Sequence, residues 1–86
     1  MLVADDDPAM ASMLADGLAE LGYAVVTATT AAESRRLVRD TSVDVLVTDL
    51  RMPDIDGIEL LALSKRLAPD RPVLVMTAFG AIDTAV

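Results

Sequence analysis

The chain has 86 residues, 53% of them hydrophobic, with seven basic against fourteen acidic side chains and a formal net charge of −7. That length supports one small domain, and a chain of this size buries only about 60–65% of the surface its unfolded form exposes. Cysteine and histidine are both absent, which excludes disulfides, thiolate metal sites, His-based catalysis and most zinc centres; the seven Lys and Arg sit mainly on helix segments around Arg35–Arg39 and Lys65–Arg66, which makes the segment a poor partner for nucleic acid.

Met1–Ala4 is a short apolar run stopped by Asp5-Asp6-Asp7 and predicts a first strand ending at Asp5 or Asp6. Asp7 supplies a helix N-cap and Pro8 suits the first helical position. Met10, Leu14, Leu18 and Leu21 then recur at helical spacing and predict one buried face, and Gly22 is placed to end that helix in the left-handed conformation. Tyr23–Ala28 is the second strand candidate. Thr30 and Glu33 form an S/T-x-x-E capping box for a second helix running to about Arg39. Val43–Thr48 reads as a third strand that delivers Asp49 at its C-terminal end. Arg51–Asp56 is a loop around Met52-Pro53, and Gly57 opens a third helix with Ile58, Leu61 and Leu67 as core contacts. Pro69-Asp70-Arg71-Pro72 is again a loop. Val73–Met76 is the fourth strand, and Ala81–Val86 reads as the first turns of a fourth helix.

Strict alternation of strand and helix with short connections predicts an α/β fold with a parallel sheet and right-handed crossovers. The β-branched strands suit burial on both faces. No repeat, linker or low-complexity stretch divides the chain. No apolar run approaches the ~20 residues that span a bilayer, and no basic region leads into a long apolar core as in a signal peptide, so a cytoplasmic location is expected.

A parallel sheet lines up its strand C-termini along one edge. Asp5 and Asp6 end the first strand, Asp49 the third and Thr77 the fourth. The doubly wound order 2-1-3-4-5, adopted from known sheets of this class, makes strands one and three neighbours at the switch point where ligands bind. Three carboxylates brought together repel unless protonated or sharing a cation. An all-oxygen ligand set favours a hard ion such as Mg²⁺, which keeps waters and takes phosphate oxygens. One carboxylate is then free to attack phosphorus and form an aspartyl phosphate, with the cation neutralising charge on the transferring group and a Thr hydroxyl donating to a phosphoryl oxygen. Plainer readings exist for each residue: Asp7 as a cap, Asp49 as a turn residue, Thr77 as a loop hydroxyl, and Asp54, Asp56 and Glu59 as loop and cap residues. Placement at successive strand ends favours the chemical reading.

Leu2-Val3-Ala4-Asp5-Asp6-Asp7, then Thr48-Asp49-Leu50-Arg51-Met52-Pro53-Asp54-Ile55-Asp56-Gly57, then Val75-Met76-Thr77-Ala78 together resemble bacterial two-component response-regulator receiver domains along the whole chain. The resemblance implies a flavodoxin-like doubly wound parallel sheet of order 2-1-3-4, spanning residues 1–86. It implies that Asp49 accepts a phosphoryl group from a sensor histidine kinase or phosphotransfer protein. Asp5 and Asp6 would form the acidic pocket, with Asp6 the more direct Mg²⁺ ligand, and Asp49 and the backbone carbonyl of Arg51 as further ligands. Thr77 would be the switch hydroxyl, while Met52-Pro53 and Gly57 shape the loop after the acceptor. Thr77-Ala78-Phe79-Gly80 and Asp83-Thr84-Ala85-Val86 are similar to receivers of the NtrC type, which are joined to ATPase and DNA-binding domains, so the implied output is transcription. Such a protein is a phosphoacceptor that assists its own phosphorylation rather than an enzyme.

Receivers also carry a fifth strand with a Lys that contacts the phosphoryl group and an aromatic switch residue, and both would lie beyond Val86. The receiver is therefore expected to be incomplete, lacking the fifth strand and last helix. Lys65, the single lysine, falls on the third helix. The incomplete sheet is expected to leave Val73–Met76 as an exposed apolar edge open to self-association. Two other functions compete. One is a degenerate or fragmentary receiver acting only as a protein-interaction module. The other is an Asp-nucleophile phosphohydrolase of the haloacid dehalogenase type, using the D-x-D of Asp5-Asp6-Asp7 with Asp5 as nucleophile.

Overall fold

The computed structural model describes residues 1–40, 42–77 and 80–83, with the backbone alone from residue 77 onward. Among the described residues, seven strands and three helices follow in the order β1 (Leu2–Ala4), α1 (Pro8–Glu20), β2 (Val26–Ala28), α2 (Ala31–Val38), β3 (Leu46–Asp49), β4 (Arg51–Met52), β5 (Ile55–Asp56), α3 (Gly57–Leu67), β6 (Val73–Thr77) and β7 (Gly80–Asp83). The main sheet has the order β2-β1-β3-β6-β7, and β4 and β5 form a separate two-stranded hairpin. The strands β2, β1, β3 and β6 are all parallel. This is the doubly wound order 2-1-3-4 expected from the sequence, with β6 as its fourth parallel strand.

Side chains alternate across the sheet. Leu2, Ala4, Leu46, Val73 and Val75 pack in one cluster with Val38 of α2, Leu60 of α3 and Ile55 of β5. Val3 and Val47 point to the other face, where α1 lies with its buried Ala11. All of β1 is solvent-free, as an inner strand covered on both faces must be.

The helix ends follow their local sequence. Asp7 Oδ1 accepts from the N–H groups of Ala9 and Met10 at the start of α1, ahead of Pro8 at the first helical position. At the other end Gly22 has φ 97°. The Gly22 N–H donates to Ala19 O, and the Tyr23 N–H to Leu18 O, the paired closure that a left-handed glycine makes available. Thr30 Oγ1 accepts from the Glu33 N–H, while Glu33 Oε1 reaches one residue further back than a standard capping box, to the Thr29 N–H at 2.9 Å. Asp56 Oδ1 caps α3 by accepting from the Glu59 N–H at 2.7 Å. Each of the three helices begins at the edge where the parallel strands end, so their N-termini gather on one side of the molecule.

Several expectations are corrected. The buried face of α1 runs through Ala11, Leu14, Ala15 and Leu18, whereas Met10 is exposed and Leu21, the C-cap, is 74% exposed. A small residue lets the helix approach the sheet, and Met10 then falls to the flank. In α3 the inward positions are Gly57, Leu60 and Ser64; Leu61 is half-buried, Ile58 is 56% exposed, and Leu67 is also exposed. The second strand is Val26–Ala28 rather than Tyr23–Ala28, because three-residue β1 pairs only with those residues. The third strand starts at Leu46, and the loop after it contains the β4–β5 hairpin. Residues 80–83 form an antiparallel strand on β6, with Leu74 opposite Asp83 and Thr77 opposite Gly80, not the helix expected over Ala81–Val86; residues 84–86 lie outside the described residues. Pairing there satisfies the backbone groups of β6 that would otherwise face solvent. The fourth parallel strand is therefore an inner strand between β3 and β7, and the exposed edge proposed for self-association is already covered.

Arg71 fastens the side of the molecule opposite the strand C-termini. It is 4% exposed. Its Nη1 donates to Val38 O at 2.8 Å and to Ser64 Oγ at 3.3 Å, and its Nη2 to Asp40 O at 2.9 Å. A cation thus closes the C-terminus of α2, where carbonyls lack helical partners and the helix dipole is negative.

Candidate phosphoacceptor site

Register decides which acids meet. Ala4 of β1 lies opposite Thr48 of β3, so Asp5 and Asp49, each one residue further, stand side by side at the strand ends. Asp6 follows on the β1–α1 connection. One carboxylate oxygen from each of Asp5, Asp6 and Asp49 lies within 4.8 Å of the other two. Asp5 is 4% exposed, Asp49 half-buried and Asp6 open to solvent. The Asp5 carboxylate accepts from the Asp7 N–H at 3.0 Å. Burial pushes its pKa above the usual carboxylate value; that hydrogen bond opposes the shift, and the negative charges of Asp49, Asp6 and Asp7 reinforce it. A buried acid pressed against two others is a place where a cation is favourable. The all-oxygen donor set, open on the Asp6 side, fits a divalent ion.

Asp49 is held by its backbone. Thr48 Oγ1 donates to Asp49 O at 3.0 Å, and the Leu50 N–H donates to Met76 O at 2.9 Å. The Gly57 N–H donates to Leu50 O at 2.7 Å, joining the two feet of the β4–β5 hairpin beside Asp49. The Arg51 N–H points to Asp49 Oδ1 at 3.4 Å. Gly57 permits this crowding, since a Cβ there would stand 2.5 Å from the Asp49 carbonyl oxygen.

The remaining predicted residues fall as follows. Asp49 pairs with Met76 across β3 and β6, so Thr77 comes one residue beyond Asp49 on the same edge; its side chain lies outside the described residues. The Arg51 side chain is exposed on β4. Asp7 spends its carboxylate on capping α1, Asp56 caps α3, and Glu59 stands in its first turn. Asp54 sits in the hairpin turn with φ 65°. Lys65 lies eight residues along α3 from Gly57, about 12 Å at the helical rise, with its Nζ enclosed and lacking a hydrogen-bond partner.

Two features of the site have no signature in the local sequence. A cleft of about 170 Å³ opens beside Asp6, walled by Thr29, Thr30 and Ala31 on one side and Met52, Pro53 and Asp54 on the other. Arg35 of α2 donates to Asp54 O at 2.8 Å and to Glu59 Oε2 at 3.3 Å. Nothing in the local sequence signals partners 19 and 24 residues away.

Residues 1–86 match the family model of the response regulator receiver domain. The chain belongs to that family. It is similar over its full length to the transcriptional regulatory protein GlrR of Escherichia coli K12, at 41% identity over 19% of that protein, and to the DNA-binding transcriptional regulator NtrC of Azospirillum brasilense, at 41% over 18%. The chain thus spans about a fifth of the length of the curated relatives it matches. Its fold superposes on a Burkholderia pseudomallei response regulator solved with a phosphorylated aspartic acid, a calcium ion and citrate, with TM-score 0.81, 36% identity, and coverage of 88% of this chain and 45% of that one. It is a receiver of the kind found in NtrC-like transcriptional regulators of two-component systems. No helix among its described residues is long and apolar enough to cross a membrane.

Proposed function

We propose that this receiver is the phosphoacceptor of a two-component phosphorelay, taking a phosphoryl group from a histidine kinase or phosphotransfer protein onto Asp49 and thereby regulating transcription through the rest of a longer, cytoplasmic regulator. The observation that carries this reading is the convergence of Asp5, Asp6 and Asp49 within 4.8 Å. An Asp49 carboxylate oxygen attacks phosphorus while the P–N bond of the donor phosphohistidine breaks, its electron pair staying on the imidazole nitrogen, which is protonated from solvent. Asp5, Asp6, Asp49 and the Arg51 backbone carbonyl would hold Mg²⁺, which when bound neutralises charge on the phosphoryl oxygens. The Thr77 hydroxyl is assigned to donate to one of those oxygens. The protein accepts and passes on a group without turning over a substrate. The capping role of Asp7 speaks against the D-x-D phosphohydrolase, which needs that carboxylate free.

Intact mass after incubation with acetyl phosphate and Mg²⁺ tests the reading. Wild type should gain one phosphoryl group and Asp49→Asn none. A folded wild type that gains nothing would favour a second reading, a receiver that binds partners without being phosphorylated.

A further inference from the structure

The hairpin that follows Asp49 is fastened at three points. Its feet are joined by the Gly57 N–H to Leu50 O bond. Ile55 anchors it in the core, 4% exposed. Its tip, at Pro53–Asp54, is held by Arg35 from a different element, with Nη2 2.8 Å from Asp54 O and 3.3 Å from Glu59 Oε2.

Asp54 is the one non-glycine residue with positive φ among the described residues. Asp tolerates that region better than most residues, and Arg35 adds a charged hydrogen bond to its carbonyl. Arg35 lies one helical turn beyond Ala31, and Ala31 and Asp54 belong to opposite walls of the cleft beside Asp6. The guanidinium thus ties the two walls together. The hairpin also carries the Arg51 N–H, whose 3.4 Å separation from Asp49 Oδ1 exceeds the usual 2.7–3.2 Å range. At that length the bond is sensitive to small movements of the strand that bears it. The ion pair with Glu59 is half-exposed and such pairs contribute little, whereas a hydrogen bond from a charged donor to a carbonyl is stronger.

We propose that Arg35 is a positioning residue for phosphorylation of Asp49: by tethering the Pro53–Asp54 turn to α2, it fixes the Arg51 N–H against the acceptor carboxylate and sets the width of the cleft beside Asp6. This rests on Asp49 being the phosphoacceptor.

The test is the rate of phosphate uptake from acetyl phosphate across a Mg²⁺ titration, with a thermal melt alongside, for wild type, Arg35→Met, Arg35→Lys and Glu59→Gln. Arg35→Met should slow uptake at saturating Mg²⁺ by about three- to tenfold, the size expected of one half-exposed charged hydrogen bond, while the protein remains folded at the assay temperature. Arg35→Lys, able to reach the turn carbonyl, should recover part of the rate, and Glu59→Gln should stay within about twofold of wild type. Arg35→Met at the wild-type rate would overturn the inference. So would a loss that tracks the unfolded fraction and is not relieved by Lys, or an equal loss in Glu59→Gln. A silent wild type is a different result: it refutes the reading of Asp49 and takes this inference with it.

Discussion

Gly57 packs directly on the backbone of Asp49, so closely that a Cβ at position 57 would stand 2.5 Å from Asp49 O and 2.9 Å from Leu50 Cα. Both neighbours are main chain and cannot rotate away. Gly57→Ala must therefore displace either α3 or the end of β3, and overpacking of this kind costs about 1–3 kcal/mol. Urea denaturation should show that loss, and Asp49 phosphorylation should fall further than the folded fraction accounts for. An Ala variant with wild-type stability and rate would mean the contact relaxes freely.

Asp5 should make stability depend on pH and on cations. Its carboxyl titrates above the ordinary 3.8 in the folded chain because of burial, an effect reduced by the Asp7 N–H and reinforced by the charges of Asp49, Asp6 and Asp7. Between 3.8 and the raised value the folded state holds more protons than the unfolded one, so stability falls as pH rises through that window. The penalty is complete above the folded pKa and absent below the unfolded one. Asp5→Asn should therefore melt higher than wild type at neutral pH in metal-free buffer, with the gap closing as pH drops below that window. Wild type should gain about 1.4 kcal/mol from Mg²⁺ at ten times its Kd, and Asp5→Asn clearly less. Parallel pH melts of the two proteins would expose the wrong sign.

Arg71 is expected to matter for folding more than for chemistry. Replacing it with Met leaves the carbonyls of Val38 and Asp40 without the guanidinium that they accept from. Each charged hydrogen bond is worth about 1.5–3 kcal/mol, so losing the two should cost about 3–6 kcal/mol in Arg71→Met, a large share of a small domain's stability. Arg71→Lys, lacking the fork, should lie between. Denaturant midpoints for the pair provide the check, and equal midpoints for Met and wild type would refute the role.

Ser34 makes the opposite case. It is fully buried in α2 and its Oγ has no hydrogen-bond partner. An unsatisfied buried hydroxyl costs about 1–3 kcal/mol, and Ala is the better helix former. Ser34→Ala should raise stability by about 0.5–1.5 kcal/mol with an unchanged denaturant slope. A destabilised variant would indicate that the hydroxyl makes a bond after all.

Much of the fold was readable where one residue's chemistry decides one local event. Asp7, Gly22, and Thr30 with Glu33 each mark a helix end, and each does so in the structure. The meeting of Asp5, Asp6 and Asp49 followed from strand ends sharing an edge, once the strand order was adopted. Position within a pattern was less legible. Helical spacing identifies Met10, Leu14, Leu18 and Leu21 as a set, but the depth of each depends on how closely Ala11 lets α1 approach the sheet. Residues 80–83 pair with β6 because its outer edge offers a ladder, a tertiary influence that local helical pattern does not contain. Arg35 was invisible for the same reason, because its partners come from other elements.

The gathering of helix N-termini on the edge that carries Asp5, Asp6 and Asp49 has an electrostatic consequence for the order of events. Each N-terminus acts as roughly half a positive charge, so α1, α2 and α3 together offset only part of the charge of Asp5, Asp6 and Asp49. Left so, the edge repels an approaching phosphoryl donor. A divalent ion offsets a further part of that charge and weakens the repulsion. Assembly should therefore proceed cation first and donor second, and raising ionic strength should speed encounter more at the bare edge than at the loaded one.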